Sequence, residues 1–361
     1  MHIEADRKKL IECLSSASAV APRRSPKEIL TRLLLHVEHD ATQVLATDME
    51  MSVSLDVPCV VKAPGKALIP PQTVTVLRQF TDSTVTLAHE PGKLSVSCGG
   101  ANLSFGTENP DEFPCPRFIS PESPVVVSSE ILKQIISRTT YACDKDSTRF
   151  ALGGVLFTTD GKELIAVATD GRRLSKLSVE TATPGAIPTG CIVPESSLTS
   201  IAKLGIEGDV MLWCTSNDFC LSADGVRVMT RLVEGRFPNW QQAVPDTSEY
   251  EKAEVASASL ARAVRQAAIV SDMETHAVDL RIFDGAITVS SQCVDVGKSR
   301  IRVPIEYAGP MVEVRCDFRF LLDFLDSADS DVSIAFKTFK QPVVLTEGKF
   351  MNVVMPLAKG K

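Results

Sequence analysis

The sequence contains no run of about 18 consecutive apolar residues, the minimum for a helix that crosses a membrane. Its start, MHIEADRKKLIECL, also lacks the basic stretch and long apolar segment of a secretory signal. The expected location is therefore the cytoplasm. Aromatics are scarce, with 2 Trp and 3 Tyr, and no low-complexity tract occurs. With 44% hydrophobic and 23% charged residues, the composition is that of a folded globular chain, which excludes disorder as a general description. At 361 residues it exceeds the roughly 100 to 200 of one domain, so several cores are expected. The ten cysteines include no C-x-x-C pair and no histidine at zinc-ligand spacing, so reduced thiols in strands and cores are expected.

The signatures of common catalysts are missing too. There is no GxxxxGK[ST] phosphate loop, no GxGxxG between strand and helix, no HExxH and no GxSxG elbow. His36 and His39 form the one H-x-x-H spacing, in an alternating context that reads as strand and loop. No catalytic residue, cofactor or metal site is nominated. The competing class is a hydrolase that uses dispersed carboxylates with a divalent metal. A formal net charge of −7 argues against a uniformly basic nucleic-acid binder but says nothing about where the cations lie.

What is present is self-similarity. ATDMEMSVSL (46–55) and ATDGRRLSKL (168–177) recur about 120 residues apart, as do DEFPCP (111–116) and GRFPNWQQAVP (235–245), which align on Phe-Pro. Each third opens with an amphipathic helix pattern: Leu10, Ile11, Leu14, Ala17; Leu132, Ile135, Ile136, Thr139; Leu260, Ala263, Val264, Ala267. A second helix recurs about sixty residues later in PPQTVTVLRQF, PESSLTSIAKL and CDFRFLLDFL, amid short alternating runs separated by turns such as Asp160-Gly161 and Asp284-Gly285. The fold class is α+β in three repeats, with boundaries expected at ISPESP and PDTSEY: 1–121, 122–247 and 248–361. The third copy carries VSSQCV where the others have Thr-Asp, so its assignment rests on helix order and spacing.

Three such repeats, with ATDGRRL, EGRFPNW and a terminal VVMPL in that order, resemble the bacterial β sliding clamp family, the processivity subunits of DNA polymerase III, along the whole chain. The resemblance implies a head-to-tail homodimeric ring of clamp domains, helices lining the hole and antiparallel sheets outside, which encircles double-stranded DNA without catalysis. It further implies a groove in which the replicative polymerase, a clamp loader and repair proteins dock short linear motifs.

Helices lining a hole for duplex DNA need cations on their exposed faces, because phosphate contacts supply attraction independent of base sequence. The opening helices carry Arg7, Lys8, Lys9, Lys133, Arg138, Arg262 and Arg265, and the second helices add Arg78 and Lys203. The last second helix departs, with Asp317, Asp323 and Asp326 against Arg319. By resemblance, Arg24 and Arg149 with Phe150 are further DNA-contacting positions, although the family's usual aromatic pair is Phe150-Ala151 here.

Matched motif by motif, the groove comprises Leu152, Thr169, Gly171, Arg172, Arg173, Leu174, Pro238, Gln242, Ala243, Phe320, Val353, Val354, Met355, Pro356 and Leu357. Leu, Val, Pro and polarizable Met make an adaptable apolar slot, with arginines at its rim. Read alone, VVMPL fits a core strand better than a binding edge. Gln242-Ala243 stand where the family often has a basic residue and Val, and AKGK follows Leu357 where family chains usually end in Arg-Leu. The resemblance also sets Leu103 and Phe105 of one copy against Ile269 and Val270 of the other at the dimer seam.

Overall fold

The computed structural model describes residues 1–120, 123–144, 149–181 and 185–358. Two residues of the ISPESP segment and the last three of the AKGK tail lie outside them.

One element order recurs three times. The first copy runs from strand His2–Asp6 and helix α1 (Arg7–Ala17) through strands Leu33–Val37, Thr42–Thr47, Met51–Asp56, Cys59–Ala63 and Gly65–Ile69 to α2 (Gln72–Gln79). It ends in the meander Thr84–Glu90, Lys93–Cys98 and Ala101–Gly106. The second has Val125–Ser128, α3 (Ser129–Thr139), Gly154–Thr159, Glu163–Thr169, Arg173–Glu180, Cys191–Pro194, α4 (Glu195–Ile201), then Asp209–Cys214, Asp218–Ala223 and Val226–Arg231. The third has Glu251–Ala256, α5 (Ser257–Ala268), Ala277–Phe283, Ala286–Cys293, Gly297–Pro304, Val312–Asp317, α6 (Phe318–Ser327), then Asp331–Phe336, Val343–Glu347 and Phe350–Val354. Strand, helix, strands, helix and three strands therefore repeat even where the third copy has lost its Thr-Asp motif.

Helix stripes follow the sequence periodicity. Leu10, Leu14 and Ala17 are buried on α1, Leu132, Ile135, Ile136 and Thr139 on α3, and Leu260, Ala263, Val264 and Ala267 on α5. A Leu or Val removed from water in this way stabilises the fold by about 1.5–3 kcal/mol. Asp6 and Asp317 cap α1 and α6 by accepting from the N–H groups of Lys9 and Arg319.

The chain forms two compact units, 1–132 with 181–232 and 133–180 with 233–361, so the middle repeat is divided between them. In the first unit, Val226–Arg231 of the second repeat pairs antiparallel with Met51–Asp56 of the first, Val226 opposite Leu55, which merges strands of both repeats into one sheet. A separate five-stranded sheet ends in Ala101–Gly106 as an edge strand. In the second unit, Arg173–Glu180 pairs antiparallel with Phe350–Val354, Leu174 opposite Val353, which joins the second repeat to the third. A four-stranded sheet in the order Gly297–Pro304, Ala286–Cys293, Ala277–Phe283, Val312–Asp317 completes that unit. Every registered pair in both units is antiparallel.

One cysteine expectation is corrected. Cys191 and Cys214, on strands of the first unit, are joined as a disulfide. Sequence spacing gave no sign of it because the two strands are brought together only by the fold. Cys13, Cys59, Cys98, Cys115, Cys220, Cys293 and Cys316 are free thiols.

Candidate functional site

The Thr-Asp motif builds the same turn in both copies that carry it. Thr47 Oγ1 donates to the Met51 carbonyl (2.8 Å) and accepts from the Met49 N–H (3.0 Å), while Asp48 Oδ1 accepts from the N–H groups of Glu50 and Met51. In the second copy, Thr169 Oγ1 donates to the Arg173 carbonyl (2.6 Å) and accepts from the Gly171 N–H (3.1 Å). Asp170 Oδ1 accepts from the N–H groups of Arg172 and Arg173. The third residue of each turn is left-handed, φ 80° at Met49 and 84° at Gly171. The motif is thus a strand-joining turn whose polar groups satisfy its own backbone.

The two arginines after Gly171 part company: Arg172 closes the turn, and Arg173 opens the strand Arg173–Glu180. Arg173 is largely buried. It pairs with Asp170 (3.1 Å) and Asp323 of α6, donates to the Tyr141 carbonyl, and lies over the rings of Phe320 (4.4 Å) and Tyr141 (5.3 Å). Its guanidinium is a fastener among the turn, α6 and the end of α3, and not the peptide-facing rim group expected of it. Arg172 is exposed and its carbonyl accepts from the Met355 N–H (2.9 Å).

That bond begins the candidate groove. The segment after Val354 is held on both sides: Met355 N–H to Arg172 O on one, Leu357 N–H to Arg315 O (2.7 Å) on the other. A pocket of about 490 Å³ opens there, lined by Arg172, Phe320, Met355, Pro356 and Leu357 from the expected set. It is completed by Glu274, Thr275, Ala277, Arg315, Asp317, Arg319 and Ala358. Met355 is 46% exposed, so its thioether is open to a ligand in the pocket it lines.

The walls carry fixed charge. Arg315 grips Asp279 with two bonds of 2.8 Å, and Arg319 grips Asp317 at 3.0 and 2.6 Å. Those bonds raise the pKa of each guanidinium above its ordinary value. The pocket thus has an apolar floor and a rim of oriented, paired arginines. None of the rim residues Glu274, Thr275 or Arg315 was nominated from sequence. A polar residue every second position before α6 was the available signal.

Other nominated residues lie elsewhere. Leu152, Leu174, Val353 and Val354 are buried and do not line the pocket, and Thr169 and Gly171 belong to the turn. Pro238, Gln242 and Ala243 are exposed on or beside the short helix Trp240–Ala243, outside the pocket. Trp240 of that helix lies under Lys176, with Nζ 5.4 Å from the ring centroid.

Of the residues expected to meet DNA, the cations Lys8, Lys9, Lys133, Arg262, Arg24 and Arg149 are exposed, as is Phe150, by 77%. Arg138 is a correction. It is 8% exposed, pairs with Asp329 (2.7 Å) and Glu347 (2.8 Å), and packs over Phe350, so its charge is spent within the protein. It sits beside the apolar stripe of α3, and residues far along the chain cover it. Arg265 is exposed but paired with Asp326, at the edge of a pocket of about 680 Å³ between α5 and α6. The acidic departure in α6 is thereby explained: Asp317 caps, Asp323 holds Arg173 and Asp326 meets Arg265.

At the expected seam, Leu103 is 37% exposed and Phe105 half-buried on the open edge strand Ala101–Gly106. Just past α5, Ile269 is 77% exposed and Val270 half-buried.

Residues 1–117, 126–239 and 241–358 match, in that order, the N-terminal, central and C-terminal domains of the DNA polymerase III beta subunit. The chain is 24% identical over 366 residues to the beta sliding clamp of Chlamydia pneumoniae, with 99% of each covered. To the beta sliding clamp of Pseudomonas aeruginosa it is 25% identical over 331 residues, 90% of each. Its fold superposes on the crystal structure of the Pseudomonas aeruginosa DNA polymerase III subunit beta with a TM-score of 0.92 at 23% identity, covering 99% of this chain and 100% of that one. From a sheet-joined repeat architecture and three consecutive domain matches, the chain belongs to the DNA polymerase III beta subunit family, the beta sliding clamps.

Proposed function

We propose that two copies of this chain close head to tail into a ring around double-stranded DNA and tether the replicative polymerase, a clamp loader and repair proteins through the groove at Met355–Leu357. The protein acts in the cytoplasm and without catalysis of its own, in three clamp domains bounded near 121 and 247. The observation that carries the reading is the combination of exposed cations on the opening helices, Lys8, Lys9, Lys133 and Arg262, with an acidic chain of net charge −7. Such a distribution concentrates phosphate attraction on particular helices of a chain that is acidic overall. Arg24, Arg149, Phe150 and Arg265 extend the contact set, and Arg138 leaves it. Topological retention needs little affinity per phosphate, and the exposed cations supply contacts that slide.

The open edge strand Ala101–Gly106, with Leu103 and Phe105, supports a seam against Ile269 and Val270 of a second copy. An unpaired edge is a ready partner for another chain, and a heterologous contact closes into a ring when its rotation allows. The test is retention. Complexes assembled on a nicked plasmid and isolated by gel filtration are expected to persist, and one double-strand cut in the plasmid should release the protein. Equal loss from circular and cut DNA would refute encirclement.

A further inference from the structure

The groove uses only one corner, at Ala277, Arg315 and Asp317, of one face of the four-stranded sheet of the second unit. Ser299 turns toward α5, its Oγ donating to the Ala267 carbonyl (3.1 Å), and Val303 is buried. Lys298, Arg300 and Arg302, which alternate with them on Gly297–Pro304, are exposed on the opposite face. Register continues the pattern inward: Arg300 lies opposite Ser290, Arg302 opposite Thr288, and Thr288 opposite Arg281 of the next strand. A pocket of about 450 Å³ lies on this face, bordered by Arg281, Lys298 and Arg300 with the hydroxyls of Thr288 and Ser290.

Three acids border these cations, among them Glu313, which lies opposite Arg281 on the neighbouring strand and lines the same pocket. Asp279 is taken by Arg315 in a two-bond pair, and Arg302 donates to the Asp284 carbonyl with the Asp284 carboxylate 3.9 Å away. Lys298 and Arg300 have no carboxylate partner among the described residues. Two unpaired cations, flanked by two more and by hydroxyl donors, favour an anionic ligand with several carboxylates in an extended chain.

This face is continuous with the candidate groove. Ala277 and Arg315 line the groove, while Asp279 and Glu313, two residues along the same two strands, line the cationic pocket. Two residues of strand span roughly 7 Å, and the three strand spacings from Val312–Asp317 to Gly297–Pro304 span roughly 14 Å. An extended peptide covers that distance in about four or five residues.

We propose that the outer face of this sheet, at Arg281, Lys298, Arg300 and Arg302, binds an acidic segment of the same partner protein whose apolar motif occupies the groove. The inference rests on reading the groove as a peptide site. It makes a run of Asp and Glu, about four or five residues from the apolar anchor, a determinant of which partners dock and how fast they arrive. The chain's own tail, Lys359-Gly360-Lys361, is cationic, the wrong charge for an anion-binding face.

The test is selection of random displayed peptides, long enough to reach both surfaces, on the intact protein and on two variants. One is Lys298→Glu with Arg300→Glu, both exposed and outside the core; the other is Met355→Ala. The expected winners combine an apolar anchor with an acidic cluster. The charge-reversed protein should return the anchor without the acids, and replacing the acids by Ser should weaken binding about fivefold to tenfold at low salt. Bound peptide should also shield Lys298 from acetylation. Anchors selected without acids, or acids that persist on the charge-reversed protein, overturn this inference and leave the groove intact. Winners indifferent to Met355→Ala overturn the groove reading and this inference with it. Protection of Lys298 by a short DNA duplex and not by the acidic peptides would assign the face to nucleic acid and overturn it as well.

Discussion

At the scale of single residues, one turn separates architecture from function. The Thr-Asp hydrogen bonds recur in both copies, and both third positions are left-handed, yet one holds Met49 and the other Gly171. A side chain costs roughly 1 kcal/mol in that conformation. Met49→Gly is therefore expected to stabilise the protein slightly and Gly171→Ala to destabilise it by about 1 kcal/mol in denaturant unfolding. Opposite signs would mean that the turn is not as described.

Thiol chemistry gives a second check at this scale. Burial pushes the Cys220 and Cys316 thiols up to about 12, so at mildly alkaline pH almost none is thiolate, the reactive form. Exposed Cys115 should label first with a thiol reagent. Cys220 and Cys316 should label only in denaturant, where their pKa falls back to the ordinary thiol value, and mass spectrometry of labelled peptides reads the order. Early labelling of Cys316 would contradict its burial.

At the scale of elements, the second unit is fastened by arginines more than its sequence advertises. Arg173 joins the turn, Tyr141 and α6, and Arg138 joins α3 to Asp329 and Glu347. Removing Arg173 strands Asp170 and Asp323 near a largely buried site, for which a loss of about 3 kcal/mol is expected in Arg173→Ala. Arg173→Lys should recover only part of it, since an ammonium lacks the planar fork. Unfolding of the three proteins in urea measures this, and an unchanged midpoint would make the network ornamental.

These pairs also mark where sequence reading stopped. Helices were legible because a buried stripe at three- and four-residue steps is a local pattern, and all three repeats kept it. Arg138 beside that stripe was indistinguishable from an exposed DNA-facing cation, because the carboxylates that cover it lie about 190 and 210 residues away. Arg172 and Arg173 look alike in sequence, but the turn leaves the first in solvent and the strand carries the second to Asp323 and Tyr141. Arg315 and Asp279 meet only through cross-strand register, so the polar rim of the groove was unreadable while Phe320 and Met355–Leu357 were not.

At the scale of the whole molecule, the repeats are joined by shared sheets: Val226–Arg231 with Met51–Asp56 in one unit, Arg173–Glu180 with Phe350–Val354 in the other. Backbone ladders of this kind give a chain persistent joints, as the proposed closed ring requires. Ala101–Gly106 is unpaired at one edge of its sheet and Ile269 is exposed past α5, and the proposed head-to-tail assembly would use both. Solution mass by light scattering, taken with a projection image of the same sample, tests this most directly. A ring with a central hole and a mass of about 78 kDa, twice the 39.0 kDa of one chain, is expected. A particle of 39.0 kDa, or a dimer without a hole, would contradict it.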